Sequence, residues 1–264
     1  MDLELKGKTA VVTGSTAGIG LAIAGALAAE GALVVVNGRT EARVAAAVES
    51  IRKSNAGAKL RGVAGDLGTA KGAADFVRAV PEADVLVNNL GIYQAKPFAE
   101  LTDADWLNLF EVNVMSGVRL SRQYLPGMLR QNWGRIIFIS SESGQQIPAE
   151  MMHYGMTKTA QIAVARGLAE SVAGTGVTVN SILAGPTASE GVSNFVADMA
   201  RQRGTSPEAV EKEFFQSVRP TSLLRRFETP EEVAAVVAFV AGARSVAING
   251  AAVRAEGGVV RSIL

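Results

Sequence analysis

The chain has 264 residues, with 26 basic against 25 acidic side chains, a single histidine and no cysteine. This length suits one large α/β core, here residues 1–264 as one domain, and the charge balance offers no clustered basic surface for nucleic acid or an acidic membrane. Lack of cysteine excludes disulfides, thiolate metal sites and a thiol nucleophile, and His153 alone excludes a multi-histidine site, so no metal is expected.

Residues Met1 to Lys6 lack the basic-then-apolar pattern of a signal peptide. The longest nearly apolar run, Val233 to Ala243, falls well short of the roughly 20 residues of a membrane span. The expectation is a soluble, cytoplasmic protein with no membrane partner.

In chain order, short apolar runs bounded by turn residues mark seven strands: Thr9 to Thr13, Leu33 to Asn37, Leu60 to Ala64, Asp84 to Asn88, Arg135 to Ser140, Val177 to Ile182 and Ala251 to Ala255. Alanine-rich segments with helical spacing separate them. Strands alternating with helices predict an α/β fold of the Rossmann type, a doubly wound parallel sheet with helices on both faces.

Gly14, Gly18 and Gly20 follow the first strand and open a helix over Ile19 to Glu30. Glycines there let backbone amides approach a pyrophosphate at a helix N-terminus, and the plain alternative is a tight strand-to-helix turn. The second strand ends in Asn37-Gly38-Arg39-Thr40. An acid at that point would bind a ribose 2′-hydroxyl. Arg39 and Thr40 instead suit a 2′-phosphate, which favours NADP(H) and still admits NAD(H), unless Arg39 is only a solvated helix-start residue. Asp66 and Asn88, after the third and fourth strands, either reach the adenosine or form end-of-strand turns.

Ser141 stands at the C-terminal end of the fifth strand, and Tyr154 and Lys158 lie one helical turn apart, on one helix face. A hydroxyl, a phenol and an ammonium converging at the C-terminal edge of a parallel sheet can exchange a proton with an alcohol or carbonyl. The rhythm breaks at 186–229, which holds Phe195, Met199, Phe214 and Phe215 among mixed charges, and reads as a lid or a subunit contact.

The ordered set Thr13-Gly14 with Gly18-Ile19-Gly20, Asn88-Asn89-Leu90-Gly91, Asn113, Ser141, Tyr154-x3-Lys158, Asn180, Asn249-Gly250 and Glu256-Gly257-Gly258 resembles the single-domain short-chain dehydrogenases/reductases. The resemblance spans residues 8 to 258. It implies a seven-stranded sheet, NAD(P)(H), a small carbonyl or alcohol substrate and a homo-oligomer, tetramer or dimer. It also implies cofactor contacts from Gly14, Ser15, Gly18, Ile19, Gly20, Arg39 and Thr40. Asp66, Leu67, Asn88, Gly91, Tyr154, Lys158, Gly185, Thr187 and Ser189 complete the set. Three positions depart from the family pattern: Leu90 replaces an alanine, Ala184-Gly185 a Pro-Gly pair, and Ser189 a threonine that contacts the carboxamide.

By the same resemblance Tyr154 is the acid/base, Lys158 tunes it and holds the ribose, Ser141 stabilises the substrate oxygen, and Asn113 holds a water linking Lys158 to solvent. Family spacing selects Ser141 over its neighbour Ser140. Lowering a phenol from pKa 10 to about 7 needs roughly 4 kcal/mol. One positive charge at about 4 to 5 Å supplies roughly 3 to 4 kcal/mol at an effective dielectric near 20. Lys158, helped by a cationic nicotinamide, is expected to suffice.

His153 is assigned to a surface or subunit contact, and Met151, Met152 and Met156 to a core or interface stripe. The substrate wall is expected from Ile92, Tyr93, Gln94, Gln145, Ile147, Met151 and residues 186–229. The function expected is NADP(H)-dependent hydride transfer on a ketone or secondary alcohol. The alternatives are oxidation of a sugar-like or polyol alcohol and a non-catalytic dinucleotide-binding regulator.

Overall fold

Runs of valine, isoleucine and leucine that are apolar on both faces build the interior strands, as a sheet covered on both sides requires. The computed structural model describes residues 1–263, and the side chain of Phe195 lies outside the described residues. The strands are β1 (Thr9–Val12), β2 (Leu33–Gly38), β3 (Lys59–Ala64), β4 (Val85–Asn88), β5 (Gly134–Ser141), β6 (Val177–Ala184) and β7 (Ala252–Ala255). They form one sheet in the order β3-β2-β1-β4-β5-β6-β7, every neighbouring pair parallel. All seven expected strands are present, each within two residues of its expected ends.

The helices are α1 (Gly18–Ala29), α2 (Glu41–Ser54), α3 (Ala70–Ala79), α4 (Asp103–Phe110), α5 (Ser116–Arg130), α6 (Met152–Ser171), α7 (Glu190–Arg203), α8 (Pro207–Ser217) and α9 (Pro230–Ala241). Alternate strand residues point to opposite faces. Val12, Val36, Val87 and Ile137 pack with Ile23 and Leu27 of α1, Val48 of α2 and Val233 and Val237 of α9. Val11, Val35, Leu86 and Phe138 pack with Phe76 of α3, Leu120 and Tyr124 of α5 and Ala165 of α6.

Strand order runs outward from β1 to β3, then returns to place β4 on the other side of β1. Such a reversal opens a crevice at the C-terminal ends of the two strands, where doubly wound sheets bind ligands. Hydroxyl side chains of Thr40, Thr69, Thr102, Ser189, Ser206 and Thr229 cap α2, α3, α4, α7, α8 and α9. At the crevice α1 is different. Its N-cap is Ala17, which offers no side-chain cap.

Residues 186–229 contribute α7, α8 and one isolated bridge, Thr187 with Glu228. The Ala188 N–H donates to the Glu228 carbonyl at 2.8 Å and the Glu228 N–H to the Pro186 carbonyl at 2.9 Å, so the two ends of the excursion are clasped. No helix among the described residues is long and apolar enough to cross a membrane.

The closeness of α5 to β5 depends on Gly117, where a Cβ would lie 2.6 Å from Cε1 of Phe138 and 3.2 Å from Cγ of Asn88. Alanine in a helix gains about 1 kcal/mol over glycine, but the Phe138 ring is fully buried and overpacking costs about 1 to 3 kcal/mol. Gly117→Ala is therefore expected to destabilise by up to about 2 kcal/mol, read as a lower urea midpoint at unchanged slope. A more stable variant would contradict this packing.

Candidate active site

Two polar side chains build the floor of the crevice. The Thr13 hydroxyl accepts the N–H groups of Asn89 (2.9 Å) and Leu90 (2.8 Å), and Asn89 Nδ2 donates to the carbonyls of Thr13 (2.9 Å) and Gly14 (3.1 Å). On the other side Asn37 Oδ1 accepts the Gly14 N–H at 3.2 Å, while its Nδ2 reaches the Val63 and Gly65 carbonyls, each at 3.2 Å. The ends of β1, β2, β3 and β4 are thus tied together around the glycine turn.

In that turn Gly14 and Gly18 take φ of +60° and +52°, a region that favours glycine. A Cβ on Gly20 would lie 2.5 Å from both Asn89 Nδ2 and the Gly14 carbonyl. A dinucleotide fits this cradle. The first turn of α1 presents amides without a side-chain cap, and Arg39 is exposed beside it, with no hydrogen bond or ion pair among the described residues. Gly18, Ile19 and Gly20 would face the pyrophosphate, and Arg39 a 2′-phosphate.

Some expected contacts fall elsewhere. Ser15 is fully buried, its hydroxyl donating to the Val12 carbonyl at 2.7 Å and accepting the Asn37 N–H at 2.9 Å, while its own N–H goes to the Asn37 carbonyl. It shapes the turn, with no donor left for a ligand. The Asn88 side chain turns into the α5 packing, donating to Ser121 Oγ at 3.3 Å, so only its main chain faces the crevice. Leu67 likewise buries its side chain in the core. Asp66 Oδ1 accepts the Gly68 N–H at 3.1 Å, the turn-forming alternative, although the residue is exposed. Thr40 Oγ1 caps α2. Asn37 and Asn89, absent from the expected contacts, hold the cradle in place.

The candidate reacting groups come from β5 and α6. Ser141 ends β5, its oxygen accepting the Ser143 N–H at 3.1 Å. The rival Ser140 donates to the Lys158 carbonyl at 2.8 Å and so ties β5 to α6. Tyr154 is half-buried, and desolvation pushes its phenol up to about 12, with the Ser141 hydroxyl opposing the rise. Lys158 is buried and pushed down to about 8 by the same desolvation. Its Nζ lies 5.5 Å from the Tyr154 ring centroid and donates to the Ile139 carbonyl at 2.9 Å and to Gln161 Oε1 at 3.1 Å.

Desolvation thus acts on Tyr154 against the lowering expected from Lys158 together with a cationic nicotinamide. The ammonium is engaged by two neutral acceptors. Gly91 comes within reach, since a Cβ there would lie 3.5 Å from Lys158 Nζ.

Asn113 lies in a π-helical stretch, Glu111–Met115, between α4 and α5. Its side chain pins the loop after β4: Nδ2 donates to the Ile92 carbonyl (2.9 Å) and Thr157 Oγ1 (3.0 Å), and Oδ1 accepts the Ile92 N–H (2.8 Å). Its main-chain carbonyl accepts Gln161 Nε2 at 2.6 Å. The Gln161 amide thus bridges the Asn113 carbonyl and Lys158.

His153 does not lie at the surface. It is fully buried against Trp106, with ring centroids 5.9 Å apart, and neither ring nitrogen has a hydrogen-bond partner among the described residues. Desolvation lowers its pKa.

The mouth above Tyr154 is lined by exposed Ile92, Tyr93 and Ile147, the Tyr93 ring meeting that of Tyr154 edge-on at 6.2 Å. From the 186–229 excursion, a Cβ on Gly18 would meet Ser189 at 3.1 Å, and Arg43 of α2 pairs with Glu190 at 3.5 Å. Thr187 donates to the Gly185 carbonyl at 2.9 Å. The excursion's other limb brings Arg219 onto Glu142, Nε to Oε1 at 2.9 Å, both buried. Burial raises the Glu142 pKa, Arg219 opposes it, and Oε2 has no partner.

Residues 8–200 match the sequence profile described as short chain dehydrogenase. The chain belongs to the short-chain dehydrogenase/reductase family. An uncharacterized oxidoreductase of Bacillus subtilis is 46% identical over the whole of both chains. The D-beta-hydroxybutyrate dehydrogenase of Cupriavidus necator is 34% identical, covering 97% of this chain and 99% of its own. Among solved structures, L-sorbose reductase from Gluconobacter frateurii, complexed with NADPH and L-sorbose, superposes with a TM-score of 0.93 at 32% identity over all of both chains. This short-chain dehydrogenase/reductase is accordingly an oxidoreductase of alcohols and ketones.

Breaking the buried Arg219–Glu142 pair from one side strands a carboxylate in low dielectric, at a cost of about 3 to 5 kcal/mol, whereas replacing both partners with apolar groups is close to neutral. Arg219→Met is expected to lower stability by about that amount, and adding Glu142→Met to recover most of it. Denaturant melts of the two variants decide this, and an unaffected single variant would show that the pair contributes nothing.

Proposed function

We propose that the protein is an NADP(H)-dependent ketone reductase, reversible toward the alcohol, with Tyr154 as its acid/base. The observation that carries this is the convergence of three side chains at the C-terminal end of β5: Ser141 ends that strand, and Tyr154 and Lys158 share one face of α6 with Lys158 Nζ 5.5 Å from the Tyr154 ring centroid. A phenol with a pKa of about 12 is a proton donor at neutral pH, which suits carbonyl reduction.

With its oxygen accepting the Ser143 N–H, Ser141 can direct its own hydrogen to the substrate oxygen and stabilise charge developing there. Tyr154 gives its proton to that oxygen. Lys158 orients the nicotinamide ribose and stabilises the tyrosinate that forms. When bound, the nicotinamide supplies the hydride, or takes it in the reverse reaction. Asn113 acts through structure, by fixing the Gly91–Ile92 loop against Thr157.

Arg39, exposed and unpaired, supports a preference for the phosphorylated cofactor. The wall of Ile92, Tyr93, Gln94, Gln145, Ile147 and Met151 mixes apolar and amide groups, and the fit to L-sorbose reductase supports a sugar-like ketone as one substrate class. Residues 186–229 cover this site as a lid. The working form is a homo-oligomer in the cytoplasm.

Tyr154→Phe is expected to keep NADPH affinity and lose about a hundred- to ten-thousand-fold in kcat, measured by nicotinamide absorbance over a panel of ketones and sugars. Retained turnover would sink the mechanism, and tight NADPH binding with no substrate in the panel would favour the regulator instead.

The cofactor preference has its own test. Arg39→Asp should reverse the NADPH over NADH ratio of kcat/KM by about tenfold or more, because a carboxylate repels the 2′-phosphate and accepts the 2′-hydroxyl. An unchanged ratio would remove Arg39 from cofactor selection.

A further inference from the structure

Gln161 sits one turn beyond Lys158 on α6, is almost fully buried at 1% exposure, and is bonded at both ends of its amide. Nε2 donates to the Asn113 carbonyl at 2.6 Å, and Oε1 accepts from Lys158 Nζ at 3.1 Å. The orientation of the amide is fixed by its partners, since a carbonyl only accepts and an ammonium only donates. The contact on Asn113 falls in the π-helical stretch Glu111–Met115. A widened turn of that kind is where a side chain inserts into the helical ladder and meets a main-chain carbonyl.

We propose that Gln161 is a positioning residue for Lys158, a neutral clamp that holds the ammonium between the Ile139 carbonyl and the crevice. Two of the three ammonium hydrogens are spoken for by Ile139 and Gln161. The remaining one is free to face Gly91 and the Tyr154 ring, the side on which ribose and substrate bind. Carboxamide chemistry is what the position demands. Glutamate would retain an acceptor for Lys158 but turn an anion toward the Asn113 carbonyl; methionine would fill the space and supply neither bond. Because an amide does not titrate near neutral pH, Gln161 holds the charge without carrying protons.

No ion pair reaches Lys158 among the described residues, and the only titratable side chain placed against its ammonium is Tyr154, on its own helix. Tyr154 in turn faces Glu142 after β5, Tyr93 after β4 and Arg219 from the 186–229 excursion. The proposal rests on the reading of Lys158 as the residue that orients ribose and supports Tyr154, and its test is kept separate from that reading.

The experiment follows the side-chain carbon resonance of Lys158 by NMR in full-length protein carrying 13C-lysine, assigned with Lys158→Met. Loss of a hydrogen bond to a charged group in Gln161→Met should lower the Lys158 titration midpoint by about one pH unit. Gln161→Glu, which places a carboxylate on the ammonium, should raise it by at least as much. NADPH affinity, read by nicotinamide fluorescence, should fall about tenfold in Gln161→Met and recover in the wild-type revertant. Should Gln161→Met fail to fold, the upward movement in Gln161→Glu decides alone. A midpoint unmoved in the folded variants overturns the proposal. Failure of the underlying reading looks different: Lys158→Ala would keep wild-type NADPH affinity and turnover while the NMR midpoints still respond to residue 161.

Discussion

Everything at the crevice depends on the way Thr13 and Asn37 spend their polar atoms inside the protein. Thr13 joins the end of β1 to the turn after β4, and Asn37 joins β1 to the ends of β2 and β3. Parallel strands have no hairpins to register their ends, so the loops of a doubly wound sheet would otherwise drift apart. With the loops bound together, the uncapped amides of α1 and the Gly91 turn beside Lys158 keep a fixed separation, and one extended ligand can address both.

The reacting half of the site is a contest between burial and charge. Desolvation moves Tyr154 and Lys158 in opposite directions, the phenol up to about 12 and the ammonium down to about 8, so each is driven toward its neutral form. Neutral acceptors on Lys158, rather than a carboxylate, leave its charge uncompensated and available. A paired lysine would be more stable and less useful, which is a familiar form of local cost at a working site.

Much of this was legible in the sequence because it is periodic. The seven apolar runs predicted the strands, and the Tyr154–Lys158 spacing predicted a shared helix face. Continuing that face by one turn reaches Thr157 and Gln161, at i+3 and i+7 from Tyr154, so the clamp was present in the spacing and passed over because glutamine carries no charge. Other features were not legible. Which of Asn88 and Asn89 turns into the crevice depends on how close α5 approaches β5, a matter of Gly117 against Phe138. His153 looked like a surface residue from its place beside Tyr154, yet α4 brings Trp106 over it. Ser15, expected among the cofactor contacts, spends its hydroxyl and N–H on three hydrogen bonds to Val12 and Asn37.

The 186–229 excursion is held unequally at its two limbs. Its returning limb is fastened by the buried Arg219–Glu142 pair, by the N–H groups of Leu223 and Leu224 on the Gly257 carbonyl, and by the Phe214, Phe215 and Phe227 rings packed 5.0 to 5.1 Å apart. The outgoing limb meets the crevice through Ser189 against Gly18 and through an exposed Arg43–Glu190 pair, an interaction worth about 0 to 1 kcal/mol. The excursion is thus fastened firmly on the Arg219 side and lightly over the glycine turn. Parting the exposed Arg43–Glu190 pair would cost about 0 to 1 kcal/mol, while the Arg219 side stays anchored to buried Glu142.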